Sequence, residues 1–70
     1  MTEKEMKALE VRYVEACNKE PVLLNMGILY LLGQKLPVMG KSMERKFYRD
    51  VVPYCRAVLS QKSYNNEESQ

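Results

Sequence analysis

Seventy residues, 29% of them charged and 46% hydrophobic, with a net charge of +2, make one small domain at most. The chain has no histidine and only two cysteines, which argues against histidine-based nucleophilic catalysis, a zinc site built from Cys and His alone, and a disulfide-dense scaffold. The N-terminal MTEKEMKALE has no apolar signal core, and the longest apolar run is far shorter than the roughly 20 residues that cross a bilayer. Neither a signal peptide nor a membrane-spanning segment is expected.

The first segment reads as an amphipathic helix over 3–19. Thr2 and, three residues later, Glu5 fit a capping box, in which each side chain satisfies the other residue's backbone N–H. Met6, Leu9, Tyr13, Ala16 and Cys17 then recur on one face, and Glu3–Lys7 and Glu15–Lys19 pairs occupy the wet side. A residue before proline is biased out of the helical conformation, so Glu20-Pro21 ends the helix.

Next comes PVLLNMGILYLLG, residues 21–33, which is apolar on every side except at Asn25 and Gly27. Pro21 at the start and Gly33 as a left-handed stop favour a helix over 22–32 rather than a strand. A helix that is apolar all round has to be covered. The expected cover is the rest of the chain, with a second copy in a homodimer as the other candidate. Gly27 within it costs about 1 kcal/mol relative to Ala, which points to close approach of a neighbouring helix.

Residues 34–41 read as a loop, with Leu36, Val38 and Met39 expected to fold back over the core. Ser42 is a candidate N-cap for the next helix. Met43, Phe47, Val51, Tyr54 or Cys55, and Val58 form a stripe that runs straight through Pro53. An interior proline costs about 3 kcal/mol, so the preferred reading is two helices, 42–50 and 51–62, with Asp50 as a cap between them. From residue 63 the sequence is polar and unpatterned and reads as a disordered C-terminal tail. The expectation is an all-α single domain over 1–62, a small compact bundle of three to four short helices around the central apolar helix.

No Walker loop, dinucleotide fingerprint, EF-hand loop or helical metal pair is present, so no cofactor, metal or catalytic residue is assigned. Cys17 and Cys55 fall on apolar faces, where burial makes a thiol less reactive; as free thiols they fit a reducing, cytoplasmic setting. The informative set is basic. Residues 34–62 hold seven Lys and Arg against Glu44 and Asp50. Arg45, Arg49 and Arg56 share a helix face, with Lys41, Lys46 and Tyr48 beside them. Arg and Tyr are enriched at protein interfaces. The leading expectation is therefore a non-enzymatic regulator that docks an acidic patch on a larger protein through these six residues. The alternative is a helix-turn-helix-like DNA-binding protein that uses the 42–50 helix. A pI near 8.6 and a Gly33–Lys41 connection longer than that motif's turn count against it. In kind, a short, catalytically empty helical chain with a charged face resembles the small phage-encoded proteins that bind and redirect host machinery such as RNA polymerase. That resemblance implies a regulatory role and a partner in the transcription machinery.

Overall fold

A computed structural model describes residues 2–69, with side chains described over residues 2–61. The first helix, α1 (Glu3–Lys19), opens on the capping box: the Glu5 N–H donates to Thr2 Oγ1 at 3.1 Å, and the Thr2 N–H donates to Glu5 Oε1 at 3.2 Å. It closes where Glu20, forced out of the helical region by Pro21, turns extended at φ −136° and ψ 93°. The second helix, α2 (Val22–Leu31), starts from Pro21 and ends in a Schellman motif. Gly33 adopts φ +71°, its N–H donates to the Tyr30 carbonyl at 3.1 Å, and the Gln34 N–H donates to the Leu29 carbonyl at 2.9 Å.

The third part differs from the sequence expectation. Residues expected to form two helices make one continuous rod: α3 (Lys41–Lys46), a π turn over Phe47–Val51, and α4 (Val52–Ser69). Lys46, Phe47 and Val52 all keep helical backbone angles, and the Val52 N–H donates five residues back, to the Phe47 carbonyl. Asp50 lies inside the π turn and caps nothing. The rod also begins before Ser42, at an extended Gly40 whose carbonyl accepts the Glu44 N–H at 2.9 Å. The tail expected at 63–70 falls on positions whose side chains lie outside the described residues. Among the described residues the fold is all-α, and no helix is long and apolar enough to cross a membrane.

The core is centred on this rod and not on α2. Phe47, Val51, Val52 and Cys55 are buried together with Leu23 and Met26 of α2. Tyr13, Ala16 and Cys17 of α1, Met43 of α3, and Leu36 and Met39 of the loop pack around them. The loop therefore covers the core as expected, except at Val38, which is fully exposed. The apolar helix is covered on one side only. Leu23, Met26 and Gly27 face inward, whereas Leu24, Ile28 and Leu32, spaced four apart, are 43%, 45% and 67% exposed. A bundle this small has too few elements to enclose a helix on every side.

Gly27 marks the closest approach of α2 to the rod. A Cβ placed there would lie 3.1 Å from Val51 Cγ1 and 3.4 Å from the Tyr13 ring, and the Cys55 thiol donates to the Gly27 carbonyl at 3.8 Å. Val51 is fully buried and β-branched, so its side chain has no alternative rotamer to yield into. Overpacking of this kind costs about 1–3 kcal/mol, against the roughly 1 kcal/mol that alanine gains in helix propensity. Gly27→Ala is expected to destabilise the fold by about 1 kcal/mol, a fall of about 4–8 °C in melting temperature for a domain of this size. Gly40→Ser, at an open N-cap, should leave the melting temperature unchanged or slightly higher. A higher melting temperature for Gly27→Ala would show that the contact does not constrain the packing.

Candidate binding surface

The continuous rod carries all six basic and aromatic residues of the candidate contact set, but it does not present them as one free face. Lys41 and Arg45 project from α3 and are exposed, and Tyr48 in the π turn is 51% exposed. Lys46 and Arg49 turn toward α1 and are already paired. Lys46 Nζ donates to Glu20 Oε1, fastening α3 to the end of α1. Arg49 grips its neighbour Asp50 with two bonds, Nε to Oδ1 at 3.1 Å and Nη2 to Oδ2 at 2.9 Å. Arg12 of α1 approaches the same carboxylate at 3.7 Å.

These residues line a cleft of about 280 Å³ between α1 and the π turn, with Glu15 and Lys19 completing its charged wall. The Asp50 side chain is only 14% exposed. Its carboxyl is held below the usual range, chiefly by the Arg49 hydrogen bond; partial burial opposes this, and the charges of Arg49, Arg12 and Lys19 add to it. The arrangement is a clamp that joins α1 to the rod. Its cations are committed to Asp50, which the basic-face reading of the sequence counted without pairing it, and to Glu20, which that reading left out. The adjacency of Arg49 and Asp50 was a visible signal; the reach of Lys46 to Glu20, 26 positions away, had none.

Arg56 stands on the far side of the rod. Its Nε donates to the Tyr30 hydroxyl at 3.3 Å, which leaves the two terminal nitrogens of the guanidinium without a partner among the described residues. No carboxylate of the described residues lies within ion-pair distance of Lys41, Arg45 or Arg56. Beside Arg56 runs a second, more open groove of about 470 Å³ between α1 and the rod. Leu9, Val52, Pro53 and Ala57 supply its apolar lining, with Tyr48, Arg56 and Ser60 at its edge. Sequence reasoning missed this groove because its lining combines Leu9 of α1 with Tyr48 of the π turn and residues of α4.

The tyrosines divide in the same way. Tyr13 stacks on Tyr54 with ring centroids 4.6 Å apart, and Tyr30 meets Phe47 edge-on at 6.1 Å. Burial pushes the Tyr13 phenol up to about 12, with the nearby Cys17 and Cys55 thiols adding to the effect. Tyr48 alone of these four is mostly exposed, held edge-on against Phe47 at 5.3 Å. Both thiols are also pushed up by burial. Among the described residues no group of three or more His, Cys, Asp or Glu is placed to hold a metal ion.

The clamp makes a pH-dependent contribution with a definite sign. A carboxyl whose folded-state pKa is depressed stabilises the fold above its unfolded value of about 3.9, and that contribution is lost as pH falls through the lower, folded value. Asp50→Asn should melt a few degrees below the parent at pH 7. The two melting curves should begin to draw together as pH falls below about 4 and meet only below the depressed folded-state value, where the folded parent also loses its carboxylate. An Asp50→Asn melting temperature equal to the parent's at neutral pH would show that the Asp50 carboxylate does not stabilise the fold.

No protein-family model matches the chain, and comparison with curated proteins and with solved structures gives no match.

Proposed function

We propose that this chain is a small non-enzymatic regulatory module that docks an acidic surface of a larger cytoplasmic protein. Lys41, Arg45, Tyr48 and Arg56 make the contact, and Lys46 and Arg49 hold the rod that carries them. The observation behind this reading is the division of the basic residues into a paired and an unpaired set. Where Lys46 and Arg49 meet Glu20 and Asp50, the charge is consumed within the fold. Where Arg45 and Arg56 stand, no carboxylate of the described residues answers them, and an exposed tyrosine lies on the same rod. Exposed arginine and tyrosine are the side chains most enriched at protein interfaces.

The non-enzymatic part of the reading rests on the absence of histidine from the sequence and on thiols whose pKa burial raises. The likeness in kind to small phage-encoded regulators makes the transcription machinery the first class of partner to test.

The test is affinity capture from native lysate with the parent chain and with an Arg45→Glu/Arg56→Glu variant, each with and without nuclease. Both positions are exposed, so far-UV dichroism should not change. Reversing charges that face an acidic partner should weaken capture by about tenfold or more. A partner set unchanged by the reversal would refute the reading. Capture that vanishes with nuclease and falls steeply with added salt would replace it with nucleic-acid binding.

A further inference from the structure

We infer that the groove beside Pro53 is the seat for one chemical class of ligand: a short amphipathic segment of the partner protein that carries an apolar side chain next to a carboxylate. This rests on the docking reading above and adds to it a specific place and a specific ligand.

The groove offers complementary chemistry along a short path. Its floor is apolar, formed by Val52 and Ala57, which are 3% and 6% exposed, with Leu9 and Pro53 alongside. Such a surface gains by accepting an apolar side chain out of water. At its edge stands the guanidinium of Arg56, whose Nε bond to Tyr30 fixes its position and leaves its terminal N–H groups for a planar anion. A carboxylate fits that fork with two parallel bonds, and no carboxylate of the described residues occupies it. An uncharged or basic occupant would leave the guanidinium unanswered, so charge complementarity selects an acidic one.

The π turn adds a third point of recognition. In regular α-helical register the Tyr48 carbonyl would accept the Val52 N–H, but that group donates to Phe47 instead. In π register its donor would be residue 53, which is proline and has no N–H. The carbonyl therefore has no donor in the helix ladder, and it belongs to a residue that lines the groove. A bound segment can supply the missing donor from its backbone or a polar side chain. Wide turns of this kind recur at functional sites because they leave backbone groups free for other partners.

The experiment uses the full chain and a fluorescein-labelled helical peptide with leucines on one face and glutamates beside them. Two control peptides replace every glutamate by glutamine or every leucine by alanine. The first peptide should bind, and each control should bind about tenfold more weakly. Arg56→Gln and Ser60→Trp, which removes the charge or fills the groove from its exposed edge, should each weaken binding about tenfold, whereas Lys35→Gln, at an exposed position outside the contact set, should not. Amide shifts in a ¹⁵N spectrum should centre on Val52, Ala57 and Leu9, and the same spectra report whether each variant remains folded. Equal losses in Lys35→Gln and Arg56→Gln, with Ser60→Trp binding like the parent, would overturn the groove and leave the docking reading standing. Failure of the first peptide to bind, or equal binding of the glutamine control, would also overturn the inference. In either case the lysate capture above still decides the docking reading by itself.

Discussion

Pro53 lies only two residues beyond the buried Val51, in a helix that must keep its apolar side toward α1 and α2. Proline brings no N–H to the ladder, and in a regular helix its ring collides with the carbonyl four residues back. The apolar spacing sets a second demand on the same stretch. Met43, Phe47, Val51 and Cys55 recur at intervals of four, and in a regular α-helix each such step overshoots a full turn by about 40°. Over three steps the stripe would wander by about a third of the circumference. A wider turn holds more residues per revolution and brings the stripe back into line. The π turn over Phe47–Val51 meets both demands at once, and Phe47, Val51 and Cys55 all end fully buried.

With the rod continuous, its charges have fixed positions relative to α1, and this determines which are spent. The π turn carries Arg49 and Asp50 side by side to the point where Arg12 passes, so one carboxylate serves two guanidiniums. One turn earlier, Lys46 reaches the Glu20 that Pro21 has turned out of α1. Both pairs are largely exposed on their basic side, where water screens them, so they orient more than they stabilise. The apolar cluster holds the fold, and the clamp selects the angle at which α1 crosses the rod. Arg56, on the other side, has a tyrosine hydroxyl to lean on and keeps its full charge available.

Local signals in the sequence proved reliable where a single residue's covalent chemistry decides the outcome. Thr2 and Glu5 cap α1, Pro21 ends one helix and opens the next, and Gly33 takes the left-handed stop. Gly27 lies against a neighbouring helix, as a glycine in that setting implies. The continuous rod escaped because proline in mid-helix and two helices joined at a proline have the same local pattern. The strict four-residue spacing through Pro53 was the one signal that distinguished them. The six candidate contact residues were identified from a shared face, and that inference could not see Glu20 arriving from α1. Pairing between distant charges depends on the crossing of helices, which no periodicity reports.

The half-covered α2 and the groove beside Pro53 are consequences of the same economy of size. Three helical rods enclose one axis of side chains, and here that axis runs through the π turn instead of through the most apolar helix. Leu9 of α1 and the rod leave a trough between them, and Tyr48, whose carbonyl loses its α-helical donor, lines it. A regular helix at this place would satisfy the Tyr48 carbonyl, rotate Val52 and Arg56 relative to Leu9, and lose the groove's alignment. The distortion that lets proline coexist with a continuous core is thus also what creates an apolar floor, an unanswered cation and an unserved carbonyl within one short reach. The lining of the proposed groove and the packing of the rod meet at Pro53, so substitutions there alter both together, whereas Arg56 and Ser60 are exposed and lie outside the buried core.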